Sequence, residues 1–143
     1  MPKALGFVFV FLLYTCGSSD SSSVDRDTRI KIDQYVAQGR KIYKNTCANC
    51  HQDSGKGLGM LYPPLENSDF LIQKIDNSIC IVKYGMKGEI LVNGKKYNQP
   101  MPANPGLSDL EIAEVITYVL NEFNDSTILI TQTFVKNSLK SCE

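Results

Sequence analysis

Apolar residues recur at the three- and four-residue intervals of an α-helix in three parts of the chain. In residues 29–45 this spacing predicts a helix with one buried stripe. The stripe consists of Ile32, Tyr35, Val36, Gly39, Ile42 and Tyr43. Gly39 costs about 1 kcal/mol relative to alanine within a helix. A glycine on the buried face therefore predicts that a second helix crosses very close to it.

Two further patterns occupy the middle of the chain. Residues 68–84 have helical spacing, although residues 76–78 (Asp-Asn-Ser) can break this stretch into two short helices. Gly85 suits the C-terminal stop of the second helix. Residues 89–97 contain the pair Asn93-Gly94. This pair predicts a β-hairpin, because both residues tolerate positive φ in the turn.

The last clear helix begins with a capping box. Ser108 and Glu111 are spaced so that their side chains satisfy each other's free backbone donors. The apolar stripe that follows predicts a helix to about Phe123. Residues 124–143 are ambiguous, because β-branched residues favour a strand between Thr127 and Val135 while a last helix also fits.

The N-terminus has the features of a targeting segment. Lys3 precedes an apolar run of eleven residues, Ala4–Tyr14, whereas a membrane-spanning helix needs about 20. We therefore predict a secretory signal peptide at residues 1–15. The residues before Cys16 resemble a loose bacterial lipobox, which predicts lipidation of Cys16; the alternative is an ordinary cleaved signal. Residues 16–28 are polar and predict a flexible tether.

Composition narrows the function classes. Fifteen basic residues balance fifteen acidic ones, which argues against a nucleic-acid-binding protein because such a protein needs a basic surface. The chain has a single histidine. This excludes sites built from several histidines, such as a zinc site with three histidine ligands.

The sequence Cys47-Ala48-Asn49-Cys50-His51 carries the candidate chemistry. Two thiols at this spacing can add across both vinyl groups of one haem, with His51 as the proximal ligand of the iron. A thioredoxin-like site would need a βαβ context, and a zinc site would need two more ligands. We therefore predict one covalently bound haem c, attached through Cys47 and Cys50.

A haem that carries electrons needs a sixth ligand, and a methionine thioether can supply it. Besides Met1, the chain contains Met60, Met86 and Met101. Met60 lies only nine residues after His51, on the histidine side of the haem. Met86 suits a gap in the core. Prolines on both sides of Met101 make residues 98–102 stiff and non-helical, so we predict Met101 as the ligand, with Met86 as the alternative.

In these motifs the sequence resembles the class I cytochromes c, over about residues 29–124. The segments that carry the resemblance are Gly39–Tyr43, Cys47–His51, Tyr62–Leu65, Pro100–Pro102, Leu107–Asp109 and Val115–Val119. Residues 88–101 are also similar to cytochrome domains attached to bacterial alcohol dehydrogenases and nitrite reductases. Residues 1–28 and the extension 125–143 lie outside the resemblance.

The resemblance implies an all-α cytochrome c fold, with three to five helices around one haem and a short β-hairpin. It implies that the carbonyl of Pro63 accepts a hydrogen bond from His51. It also implies that the C-terminal helix crosses the first helix near Gly39, with Tyr43 and Tyr118 packed at the crossing. We expect the haem wall to include Leu65, Ile72, Ile75 and Tyr97, each of which also suits an ordinary core.

Cys80 and Cys142 remain after lipidation and haem attachment are assigned. An even remainder in an oxidising compartment favours a disulfide, and two free thiols are the alternative. Four lysines lie on segments near Met101: Lys83, Lys87, Lys95 and Lys96. They either steer docking to an acidic partner or form an ordinary solvated surface.

These observations predict a one-electron carrier, not an enzyme, in a respiratory or dehydrogenase-linked chain. The expected partners are a redox donor and acceptor and a membrane reached through the lipid anchor, without nucleic acid or a small-molecule substrate. The expected location is the bacterial cell envelope, periplasmic or on the outer face. The alternatives are a dedicated haem subunit of one reductase, dehydrogenase or oxidase, and an open-site haem protein that binds ligands or acts on peroxide.

Overall fold

The computed structural model describes Met1 and residues 24–142. The predicted signal peptide, Cys16 and most of the predicted tether therefore lie outside the described residues. Residues 24–142 contain six α-helices, one 3₁₀ turn and one two-stranded sheet. The all-α fold with a short hairpin is confirmed, with one helix more than the three to five expected.

The first helix, α1, spans Arg26–Thr46. It begins three residues earlier than predicted, because the side chain of Asp25 accepts a hydrogen bond from the backbone N–H of Thr28 at 3.0 Å. The end of the predicted tether, residues 26–28, is therefore helical. The predicted stripe faces the core, with Tyr43 fully buried.

The longest buried helix, α5, spans Asp109–Phe123 and has the predicted capping box at its start. It packs along α1. A Cβ added to Gly39 would lie 2.6 Å from the carbonyl carbon of Glu114 and 2.7 Å from Cβ of Tyr118. The rings of Tyr43 and Tyr118 lie 5.4 Å apart at this crossing. The close crossing predicted from Gly39 is confirmed.

Three shorter helices follow α1: α2 (Ala48–His51), α3 (Asp69–Gln73) and α4 (Ile75–Tyr84). The break between α3 and α4 falls at Lys74, which has φ −135° and ψ 51°. The predicted break at residues 76–78 is wrong, because Asp76 suits the first turn of α4 and the hydroxyl of Ser78 donates to the carbonyl of Lys74 at 3.0 Å. Gly85 ends α4, as predicted.

The hairpin joins β1 (Ile90–Val92) to β2 (Lys95–Tyr97) in antiparallel register, with Ile90 opposite Tyr97. Asn93 and Gly94 have φ of 50° and 73°, which confirms the predicted turn. The side chain of Asn93 accepts from the N–H of Asp69, and Asp69 accepts in return from the N–H of Asn93. These bonds fasten the hairpin to the start of α3.

The C-terminal residues form a helix, which resolves the ambiguity of the sequence. Thr131 caps α6 (Gln132–Ser138), and a 3₁₀ turn (Leu139–Ser141) follows. Val135 is fully buried in the core that α1 and α5 share. A disulfide joins Cys80 of α4 to Cys142, with the two Cα atoms 5.6 Å apart. The extension is therefore part of the folded domain. Within residues 24–142, no helix is long and apolar enough to cross a membrane.

Candidate haem site

The cysteines and the histidine of the haem motif lie in one helical turn. The N–H of Cys47 donates to the carbonyl of Tyr43 at the end of α1, and α2 follows at once. Cys47, Cys50 and His51 are therefore three and four positions apart on neighbouring faces of a helix. Both thiols are free and half-buried. Burial raises the pKa of the Cys47 thiol, which keeps it protonated before attachment.

His51 is buried and held by the loop that follows it. Its Nδ1 donates a hydrogen bond to the carbonyl oxygen of Pro63 at 3.0 Å, because a carbonyl can only accept. Burial lowers the pKa of His51, against a smaller raising effect of this hydrogen bond. The ring therefore favours the neutral form, in which Nε2 carries a lone pair that can bind a metal.

Gly57 allows the Pro63 carbonyl to approach His51. It has φ of +66°, and a Cβ at this position would lie 2.7 Å from the carbonyl carbon and oxygen of Pro63. The N–H of Gly57 also donates to the carbonyl of His51 at 3.0 Å. Gly57 is a site residue that was not predicted from the sequence, where the alternating glycines at 55, 57 and 59 are the available signal.

The predicted haem-site residues line one apolar cavity, which is partly open to solvent. The cavity wall includes Cys47, Cys50, His51, Pro63 and Met101. Among the described residues, no Asp, Glu, Lys or Arg contributes to the wall. The pocket therefore suits a mostly apolar cofactor, whose metal the free Nε2 of His51 could bind.

Apolar side chains from four elements complete the wall. They are Phe70 and Leu71 of α3, Ile81 and Val82 of α4, Ile90, Val92 and Tyr97 of the hairpin, and Val115, Ile116 and Val119 of α5. Of the wall residues expected from the sequence, Leu65 and Tyr97 line the cavity. Ile72 does not, because it points to solvent and is 50% exposed. Ile75 instead packs against the core.

Two methionines reach the cavity. Met86 and Met101 both line it, and they form an isolated antiparallel bridge whose N–H···O distances are 2.9 and 3.0 Å. Met60 is 63% exposed and lies outside the cavity wall. The fold thus places Met101, and the alternative Met86, in the wall of the same cavity as His51, whereas Met60 points to solvent.

The remaining predicted residues lie away from the cavity or are used differently. Cys80 and Cys142 are joined by the disulfide on the far side of α4 and do not line the cavity. Among the lysines near Met101, Lys83 points into the protein and donates to two carbonyls. Lys96 pairs with Glu89 at 2.9 Å. Within residues 24–142, no cluster of three His, Cys, Asp or Glu is arranged to hold a metal ion by itself.

Comparison with known proteins agrees with this geometry. A family model described as Cytochrome c matches residues 36–122. The chain is 36% identical over 94 residues to two proteins named cytochrome c-552 from Thermus thermophilus. The alignments cover 63% of this chain, and 71% and 63% of the respective relatives. Cytochrome c-555 of Prosthecochloris aestuarii is 28% identical over 97 residues, which cover 66% of this chain and 96% of that protein.

The match extends from the middle of α1 to the end of α5 and includes the haem motif, the hairpin and Met101. The cofactor prediction is therefore confirmed at the level of the family. The chain belongs to the cytochrome c family, whose members bind haem c covalently and transfer electrons rather than act as enzymes.

Proposed function

We propose that this chain is a class I monohaem cytochrome c in which His51 and Met101 are the axial ligands of the iron. Cys47 and Cys50 would form the two thioether bonds, and Pro63 would orient His51. One observation carries the proposal. A single apolar cavity is lined by both thiols, by His51, whose Nδ1 is held by Pro63, and by Met101 between its two prolines. When bound, the haem supplies a one-electron Fe(II)/Fe(III) couple.

The wall of the cavity supports electron transfer over catalysis. A thioether ligand on the iron leaves no coordination position for a substrate, and it stabilises the reduced form. Peroxide chemistry would benefit from a distal acid or base. The chain has no second histidine, and within residues 24–142 no charged side chain lines the cavity. The apolar wall would also disfavour the extra positive charge of the oxidised haem.

We propose an extracytoplasmic location with a lipid anchor. Residues 1–15 would be the signal peptide, Cys16 the acylated residue, and residues 16–25 the flexible tether to the folded domain. Haem attachment to this motif takes place outside the cytosol in bacteria. The disulfide between Cys80 and Cys142 supports the same compartment, because structural disulfides persist in oxidising environments.

The partners would be redox proteins of the cell envelope. From the resemblance of residues 88–101 to cytochrome domains attached to bacterial alcohol dehydrogenases and nitrite reductases, we infer an enzyme of that kind as donor or acceptor. The ammonium groups of Lys87 and Lys95 make no hydrogen bond or ion pair with the side chains and backbone of the described residues, and both lysines are exposed. Their exposed charges are available to attract an acidic partner at low salt.

An anaerobic redox titration of the haem-loaded protein tests the function. We expect one reversible one-electron transition, followed by its absorption spectrum, and no spectral change when carbon monoxide is added to the reduced protein. The expected result follows from an iron whose two axial positions are filled by protein ligands. Rapid carbon monoxide binding with a high-spin spectrum would instead assign the protein to the open-site class.

A further inference from the structure

We propose that Lys83 is a positioning residue for the methionine ligand, because it clamps the loop that carries Met101 onto the end of α4. The methionine loop is defined here as residues 98–107. The inference rests on the proposed function, in which Met101 binds the iron. It assigns to Lys83 an internal role in place of the docking role considered for the lysines near Met101.

The clamp consists of two hydrogen bonds from one ammonium group. Lys83 lies in the last turn of α4, and its Nζ donates to the carbonyl of Leu107 at 2.7 Å and to the carbonyl of Pro105 at 3.1 Å. The bond to Leu107 is partly buried. Hydrogen bonds from a charged donor are roughly twice as strong as neutral ones. The ammonium therefore fixes the C-terminal end of the methionine loop.

Neighbouring contacts fasten the same loop to the same helix end. The backbone N–H and the side-chain amide of Asn104 both donate to the carbonyl of Val82, at 3.1 and 3.2 Å. Met101 itself pairs with Met86 through two backbone hydrogen bonds. A Cβ at Gly85 would lie 2.7 Å from the carbonyl oxygen of Met101. The methionine loop therefore packs against the C-terminal end of α4.

The methionine loop depends on hydrogen-bond donors from α4 because it forms few hydrogen bonds within itself. Pro100, Pro102 and Pro105 have no backbone N–H, and the loop contains no helix or strand. Without Lys83, the segment that follows Met101 would be attached to α4 mainly through Asn104. A looser loop releases the thioether more often, so an external ligand competes more easily for the iron.

The test compares Lys83→Met with Lys87→Met in the oxidised, haem-loaded protein. Both substitutions remove one positive charge near Met101, but only Lys83 donates to the methionine loop. Imidazole is titrated while the weak near-red methionine-to-iron absorption band is followed. We expect the midpoint for loss of the band to fall about tenfold for Lys83→Met and to stay unchanged for Lys87→Met. Lys83→Arg retains the donors and should lie close to the wild type.

Repeating the substitution in a Met101→Ala background separates positioning from a general loosening of the fold. The near-red band is absent without the thioether, so imidazole binding is followed there by the shift of the main haem absorption band. In this background Lys83→Met should no longer change the imidazole midpoint. Equal midpoints for Lys83→Met and Lys87→Met would overturn the clamp, and so would a tenfold effect that persists without Met101. If Lys83→Met does not fold, Lys83→Gln, which also lacks the ammonium group, takes its place in the same titration against Lys87→Gln. A wild type without the near-red band would contradict the proposed function itself.

Discussion

His51 meets two requirements at the scale of a single residue, and each of its ring nitrogens serves one of them. Nδ1 donates to the carbonyl of Pro63, which fixes the ring and its tautomer. Nε2 is left for the iron in the proposed site. Burial lowers the pKa of His51 and favours the neutral ring that can bind a metal. Gly57 makes this arrangement possible, because any Cβ there would collide with Pro63.

Gly39 sets the distance between α1 and α5, and Gly39→Ala should destabilise the protein. The added methyl group gains about 1 kcal/mol of helix propensity but overlaps the backbone of Glu114 and the side chain of Tyr118. We expect a net loss of about 1–3 kcal/mol in the free energy of unfolding, measured by denaturant titration of the haem-loaded protein. Gln34→Ala, on the exposed face of the same helix, is the control. Equal stability of Gly39→Ala and wild type would contradict the close crossing.

Single residues differed in how well the sequence predicted them. Gly39 could be recognised because it interrupts an otherwise apolar helical stripe. Glycine destabilises a helix relative to alanine, and a closely packed neighbouring helix explains why it is nevertheless present. The haem motif could be recognised because its chemistry depends on local spacing. Gly57 and Lys83 could not, since their roles depend on loops brought to them by the tertiary fold.

At the scale of elements, helix ends place the site residues. The first turn of α5 is held by Ser108 and Glu111, whose side chains bond to each other's backbone N–H. The N–H and hydroxyl of Ser108 lower the pKa of Glu111. The folded state therefore binds this proton less readily than the unfolded state. The contribution of Glu111 to the free energy of unfolding is complete above about pH 4.3, the ordinary pKa of a glutamate. It is lost as the pH falls through the lower pKa that Glu111 has in the folded state.

Two variants of the capping box test this assignment. Ser108→Ala should lower the free energy of unfolding by about 1 kcal/mol at neutral pH, because the first turn loses an acceptor. Glu111→Gln should lose less stability than the wild type between about pH 7 and about pH 3, because glutamine does not titrate. Thermal unfolding at both pH values measures the difference. Identical acid sensitivity of wild type and Glu111→Gln would contradict the role given to the glutamate.

Elements with a local signal were predicted well, and those without one were not. The hairpin turn depends on the adjacent residues Asn93 and Gly94, and the capping box depends on Ser108 and Glu111, three positions apart, so the sequence contains all that is needed. The break at Lys74 could not be placed, because Asp76, Asn77 and Ser78 favour breaks as well as first turns. Tertiary contacts decide between these outcomes, and they place Ser78 inside α4 beside the cavity.

At the scale of the whole molecule, the C-terminal extension supports the helix that borders the haem cavity. Val135 and Ile130 are buried in the main core. The hydroxyl of Ser138 donates to the side chain of Asp76 in α4, and the disulfide joins Cys142 to Cys80 in the same helix. Since α4 also holds the methionine loop, the extension contributes to the rigidity of the wall that carries Met101.

Loss of the disulfide should therefore lower stability without removing the cofactor. The bond connects residues 62 positions apart, and bridges that close long loops contribute about 2–4 kcal/mol. Cys80→Ser with Cys142→Ser should lower the unfolding temperature of the haem-loaded protein, with an unchanged haem content per chain. Reductant should shift the unfolding temperature of the wild type but not that of the double variant. If the wild type is insensitive to reductant, the bridge does not contribute to stability.

The extension was the part of the molecule that the sequence predicted least. Its β-branched residues fit a strand as well as a helix, and the result depends on a capping hydrogen bond at Thr131 and on burial of Val135 against α5. The domain from α1 to α5 was predictable because several separate sequence motifs, including the haem-attachment motif and the methionine segment, all point to one haem-binding fold. The extension contains no motif of that kind.

The central claim is that the iron has His51 and Met101 as its axial ligands, and an absorption spectrum tests it most directly. The protein should be matured with haem in a bacterial periplasm and compared with Met101→Ala and Met86→Ala. We predict a low-spin c-type spectrum with a weak near-red band in the oxidised wild type, retained in Met86→Ala and lost in Met101→Ala. A high-spin wild type, or a band lost in Met86→Ala and retained in Met101→Ala, would contradict the proposed ligand pair.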